Sequence, residues 1–251
     1  MLTMHRNRIN LFNQTIDNVD TQTALAFVEE YLHQRNGKII CAKNVALTVE
    51  CSRNAFLREF YENAGLVTVD GRPLVYLSRF FGDRLPEMVG GSNLWYKIIE
   101  LAESKNCSLY FLGGTQSVVE KAVRNLTNMH PALRIVGFRN GYFQESETAS
   151  VIREIRHAQP DILYLGLPTP MKERLALSIS KEIPSVLNVL VGGIFDVFAG
   201  EKRLAPSFMS KICMEWLYRL AQEPKRLLVR YVRTSSLFFV MLIRETIRKL
   251  F

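Results

Sequence analysis

SLYFLGG, residues 108–114, is apolar along its whole length and ends in a glycine pair; DILYLGL (161–167) and VLNVLVGG (186–193) share that character. A strand with one face in water alternates apolar and polar side chains, whereas a strand covered on both faces has no reason to alternate. The three stretches therefore read as interior strands of a parallel sheet. KIICA (38–42), LVTV (66–69) and RIVG (134–137) read as further strands. Helical patterns lie between them. Residues 21–34 set Ala24, Leu25, Phe27, Val28, Tyr31 and Leu32 on one stripe, and residues 147–157 carry Val151, Ile152 and Ile155. Residues 115–128 open on Thr115 as an N-cap and continue with Val118, Val119, Ala122, Val123 and Leu126. This alternation predicts an α/β fold, a Rossmann-like doubly wound and mostly parallel sheet.

The pattern changes near residue 208. MSKICMEWLYRLAQEP (209–224) reads as one helix stopped near Pro224, and residues 225–251 read as one or two more. The expected organisation is an α/β domain over 1–207 and a basic amphipathic helical appendage over 208–251. Charge supports the division. The 251 residues carry a formal charge of +8, and residues 201–251 hold 11 Lys/Arg against 4 Asp/Glu. An excess gathered in one segment points to an anionic partner for that segment, a membrane surface or a nucleic acid. The apolar run LFFVMLI (237–243) is too short to span a bilayer, which needs about 20 residues, and it leaves a homo-oligomer open. The N-terminal stretch MLTMHRNRINLFNQTID has no continuous apolar run, so no signal peptide is expected. The four cysteines have no CxxC spacing and fit a reducing, cytoplasmic compartment.

In an open parallel sheet, ligands bind outside the carboxyl ends of the strands. Gly113-Gly114, Gly166 and Gly192-Gly193 stand at such ends. Glycine there either lets phosphates approach the backbone or only makes a tight turn. Gly113, Gly114 and Thr115 read as a strand–turn–helix anion site. Asp70, in LVTVDGRPL, follows a strand directly. Its carboxylate can take a proton from an attacking hydroxyl, although Asp-Gly is also a common turn pair. Asp196, in VGGIFDVFAG, is placed to bond a ribose or to cap a helix; Lys172 and Glu173, after LPTP, face a ligand or form a solvated pair. The four histidines lie in unrelated contexts and suggest neither a triad nor a metal site. There is no GxGxxG and no P-loop, which disfavours a dehydrogenase or an NTPase. No DxD pair is present, which favours chemistry without a metal.

The segments VTVDGRPLVYLSRFFG, LPEMVGGSNL, LYFLGGTQSVVEKAVRNL, PALRIVGFRNGYF, PDILYLGLPTPMKE, VGGIFDVFAG, RLAP and EWLYRLAQEPKRLLVRY, in this order, resemble the WecG/TagA/CpsF family, glycosyltransferase family 26. The resemblance runs from about residue 38 to residue 231. It implies an inverting glycosyltransferase that uses no metal and no cofactor. Such an enzyme moves a sugar from a UDP-sugar to a polyprenyl-diphosphate-linked sugar at the inner leaflet, for a cell-surface polysaccharide or exopolysaccharide. It further implies Asp70 as catalytic base, Asn44 as an active-site asparagine, Asp196 near the nucleoside, and an Arg-rich appendage that docks peripherally on the anionic inner face of the cell membrane.

This sequence departs from the family pattern at Met88, where an Arg is usual, at Asn93 (Asp), at Lys172 (Gln) and at Ala42 (Thr). The first three fall where diphosphate or sugar contacts are expected, and Lys172 is read as restoring the charge lost at Met88. In the mechanism this suggests, Asp70 takes the acceptor's proton. Glycine-turn amides with Lys172, Arg203 and an appendage arginine (Arg219, Arg226 or Arg230) hold the departing UDP. No nucleic-acid motif or aromatic platform accompanies the basic tail, so nucleic acid is not the expected partner. The alternative reading is a non-catalytic nucleotide-sugar-binding module of a polysaccharide assembly complex.

Overall fold

The computed structural model describes residues 5–250; the side chains of Ser207, Ser210, Arg226 and Leu250 are outside that description. The chain opens with a hairpin, β1 (Arg8–Leu11) and β2 (Gln14–Asp17), that the sequence reading does not anticipate. Its two turn residues, Phe12 and Asn13, both have left-handed φ, 55° and 56°. That is the geometry of a tight hairpin turn, and phenylalanine is an unusual residue for it. Tertiary packing holds it: the Phe12 ring lies 6.2 Å from Phe81 and 5.1 Å from Phe238.

The remaining strands build the expected sheet. They are β3 (Ile39–Lys43), β4 (Leu66–Val69), β5 (Ser108–Gly113), β6 (Arg134–Arg139), β7 (Ile162–Gly166) and β8 (Leu187–Leu190). Their order is β4-β3-β8-β7-β5-β6, parallel at every pairing. β4 and β6 are the edge strands, and the side chains of β6 alternate between exposed and half-buried.

Helices cover both faces. On one side α1 (Thr21–Gln34), α5 (Gly91–Ser104), α6 (Gln116–Met129) and α9 (Ile194–Phe198) bury Phe27, Ile98, Val119 and Phe195 against Leu109, Phe111 and Tyr164. On the other, α2 (Val45–Arg53), α3 (Ala55–Asn63), α7 (Thr148–Ala158) and α8 (Met171–Glu182) bury Leu57, Ile152 and Ile179 against Cys41, Leu112 and Leu163. Each such side chain contributes about 1.5–3 kcal/mol by leaving water.

The C-terminal segment differs from its reading at one point. Residues 209–224 are not one helix: α10 (Ser207–Lys211) and α11 (Glu215–Gln222) are separated at Cys213, whose φ is 62°. The last helix, α12 (Pro224–Leu250), is continuous and packs back on its own chain. Its Phe238, Met241 and Leu242 join the hairpin's Leu11, Phe12 and Ile16 and Leu74 and Val75 of α4 (Arg72–Phe80). Leu227 and Glu245 are buried on the same stripe, and Glu245 accepts from the Phe12 amide. A second stripe stays open: Val229, Val232, Phe239, Val240, Ile243 and Ile247 are exposed, with Arg230, Arg233 and Arg244 beside them. Among the described residues, no helix is long and apolar enough to cross a membrane.

Candidate functional site

The carboxyl edge of the sheet gathers most of the residues singled out above. Asp70 follows β4 directly and Asn44 follows β3, and these strands pair as far as Lys43 with Val69. The ladder continues one step further, because the Asp70 amide donates to the Lys43 carbonyl at 2.7 Å. Asn44 caps α2, its Oδ1 accepting from the Leu47 amide at 2.9 Å, so Nδ2 is the polar atom it has left for a ligand.

Asp70 is half-buried against a glycine pair that sequence reasoning did not assign to the site. A Cβ on Gly90 would lie 2.8 Å from the Val69 carbonyl, and one on Gly91 would lie 2.8 Å from Asp70 Oδ1. Gly91 also has φ +57°, so only glycine fits there without strain. The pair begins α5 and seats the carboxylate closely. The signal was present in the sequence as the GG of LPEMVGGSNL. Burial raises the Asp70 pKa above the ordinary carboxylate value, Arg219 and Lys172 oppose that rise, and Glu215 adds to it. A carboxylate raised in this way is a better proton acceptor near neutral pH.

Lys172 reaches the same edge from the first turn of α8, just past the loop that follows β7. Its ammonium donates to the Val191 carbonyl at 3.4 Å, where β8 runs into Gly192-Gly193. Gly192 has open space where a Cβ would stand, and near Gly193 only Asp196 Oδ2 comes within 4 Å, at 3.5 Å. Arg219, on the exposed side of α11, is the appendage arginine whose charge acts on Asp70. Arg203 is exposed and its backbone pairs with the Gln222 side chain. Arg230 is exposed on α12, and the Arg226 side chain lies outside the described residues.

Three expectations need correction. Gly113 and Gly166 do not present open backbone: a Cβ on Gly113 would meet the Gly166 carbonyl and the Phe195 ring at 2.6 Å, and one on Gly166 would meet the same ring at 3.0 Å. Phe195 fills that space, which leaves Gly114 and Thr115 as the outer part of the turn, with Thr115 capping α6 through Val118. Glu173 neither faces a ligand nor is solvated. It is fully buried, accepting from Tyr61 at 2.9 Å and from Thr169 at 3.0 Å. Asp196 does not cap its helix, since Gly193 holds that place; its carboxylate pairs with Lys202 at 2.5 Å, and Lys202 also pairs with Glu223 of the appendage. Met88 is half-buried against the cluster that contains Leu74 and Val69, and Asn93 lines a surface groove with Asp20, Glu87 and Lys97. Among the described residues, no group of three or more His, Cys, Asp and Glu gathers as a metal site would require.

Comparison with known proteins matches this sequence to one family. A protein of Bacillus subtilis (strain 168) named N-acetylglucosaminyldiphosphoundecaprenol N-acetyl-beta-D-mannosaminyltransferase is 26% identical over 198 residues, 79% of this chain and 77% of its own length. The protein of the same name from Bacillus spizizenii (strain W23) is 28% identical over 196 residues, 78% of this chain and 76% of its own. Residues 9–250 match the family described as the Glycosyl transferase WecG/TagA/CpsF family, a span holding Asp70, Asn44, Lys172, Asp196 and Arg219. The chain is therefore a glycosyltransferase and belongs to the WecG/TagA/CpsF family.

Proposed function

We propose that this chain transfers a sugar, with inversion and without a metal, from a UDP-sugar to a sugar carried on a polyprenyl diphosphate at the cytoplasmic face of the membrane. The observation that carries the reading is the seat of Asp70, a half-buried carboxylate of raised pKa packed on Gly90-Gly91 beside Asn44, with Lys172 and Arg219 near it. Asp70 removes the acceptor hydroxyl proton as that oxygen attacks the anomeric carbon. The bond from that carbon to the diphosphate oxygen breaks, and UDP leaves with the bonding pair. Lys172, Arg219 and the open Gly192-Gly193 turn stand where that charge collects, and they stabilise it more as the bond breaks than before. The names of the two Bacillus relatives support a lipid-diphosphate acceptor and suggest N-acetylmannosamine as the sugar to try first.

The exposed stripe of α12 supports the location. Apolar side chains flanked by arginines suit a helix lying in the headgroup region, and each cation near an anionic leaflet contributes about 1 kcal/mol. The appendage 208–251 thus has two jobs in this reading, bracing the domain with one stripe and meeting the membrane with the other.

The deciding experiment is UDP release from a panel of UDP-sugars with a short-chain lipid-diphosphate-sugar acceptor, for the parent and Asp70→Asn. Release from one donor that needs the acceptor and disappears in the variant supports the reading. UDP binding with no release from any donor overturns it in favour of a binding module.

A further inference from the structure

A carboxylate with no exposed surface is costly unless hydrogen bonds and a counter-charge accompany it. Glu173 is such a group, and it adjoins the candidate site without being part of its lining. Its Oε1 accepts from the Tyr61 hydroxyl and from Thr169 Oγ1, while Oε2 is buried with no hydrogen-bond partner. The Lys172 ammonium stands 4.0 Å from Oε1. The Lys172 side chain keeps 13% of its surface exposed and Glu173 none. The cation thus has the buried charge on one side and the exposed carboxyl edge of the sheet on the other, steadied by the Val191 carbonyl.

The same network extends behind Asp70. Burial holds the Tyr61 hydroxyl protonated, well above the ordinary phenol range, so it serves as a donor to Glu173. The Lys43 ammonium lies over the Tyr61 ring at 5.3 Å and donates to Gln14 Oε1 at 3.1 Å. The Lys43 backbone carbonyl receives the Asp70 amide. One buried residue therefore braces both Asp70 and the tyrosine that fixes Glu173.

We propose that Glu173 is a positioning residue that acts through Lys172: its buried carboxylate, fixed by Tyr61 and Thr169, holds the Lys172 ammonium at the end of β8 to receive the diphosphate of the donor. This deepens, and rests on, the donor reading of the carboxyl edge of the sheet. The resemblance set out above implies glutamine at this position; lysine puts there a cation placed by a neighbouring anion rather than a neutral amide.

The test is a double-mutant cycle read as UDP affinity by calorimetry on the full chain: parent, Glu173→Gln, Lys172→Gln and the double variant. Glutamine keeps the volume of Glu173 and an acceptor for Tyr61, removes the charge, and puts an amide NH2 in place of the unpartnered Oε2. Glu173→Gln weakens UDP about ten-fold in the parent and has little further effect once Lys172 is gone, because its action passes through that lysine. An equal loss in both backgrounds would mark Glu173 as merely structural and overturn the inference, as would unchanged affinity in Glu173→Gln. If Glu173→Gln does not fold, Tyr61→Phe takes its place in the same cycle, with the same coupled outcome expected and additivity again overturning it. A parent that binds no UDP overturns the donor reading, and this inference with it.

Discussion

Gly113 and Gly166 end neighbouring strands and face the ring of Phe195, whereas Gly192 and Gly193 follow the next strand over, Gly192 facing open space and Gly193 only the Asp196 carboxylate. In sequence the two places look the same, a run of apolar residues closing on glycine. In the fold, the first pair makes room for a side chain of the protein itself, and the second leaves room for something the protein does not supply. Glycine at a strand end reports a close approach without naming what approaches. Gly90-Gly91 is a third case, because there the approaching group is the Asp70 carboxylate.

The contrast can be broken at either end. The largest effect belongs to the carboxylate: Asp70→Asn lowers acceptor-dependent turnover by about 10²–10⁴-fold while leaving UDP affinity essentially unchanged, checked by UDP release and calorimetry together. Turnover near that of the parent would remove the reason for distinguishing the open edge from the closed one. Gly113→Ala comes next. With φ at +153° and two contacts at 2.6 Å, the added methyl displaces Phe195 or the Gly166 backbone. A cost of about 1–3 kcal/mol is expected in denaturant melts.

A smaller effect follows from the raised pKa of Asp70. A carboxyl whose folded pKa lies above its unfolded value of about 3.9 stabilises the fold fully below that value. The contribution is lost as pH rises through the folded pKa. Asp70→Asn therefore melts above the parent at pH 7, and the gap closes as pH falls toward about 4. Equal melting at pH 7 would mean that Arg219 and Lys172 cancel the cost of burial. The smallest effect on stability is that of Gly192→Ala, within about 0.5 kcal/mol, since nothing stands where the methyl goes. Its consequence belongs to UDP affinity, and a variant that binds UDP as the parent does would take the diphosphate away from this turn.

The central sheet was legible because its evidence is local. Strands covered on both faces show as continuous apolar runs, and Asp70 and Asn44 follow two of them directly. What escaped depended on partners distant in the chain. The β1–β2 hairpin turns on a left-handed phenylalanine that no turn rule predicts, held by Phe238 from the far end of the molecule. Glu173 looked like half of a surface pair because Tyr61, 112 residues away, is invisible from LPTPMKE. Lys43 fell just outside the strand read as KIICA, yet it is buried with its ammonium over an aromatic ring. The break at Cys213 lacks the glycine or proline that would have announced it.

The two stripes of α12 have a consequence for any shortened form of the chain. Ending the protein before Pro224 would remove the exposed Val229–Ile247 stripe and would seem to promise a better-behaved molecule. It would also strip Phe238, Met241 and Leu242 from Leu11, Phe12, Leu74 and Val75, so one sticky surface would be exchanged for another. A soluble derivative is better sought by placing charge along the outer stripe, at Val232, Val240 and Ile247, where the helix keeps its inner contacts and only its outward face changes character.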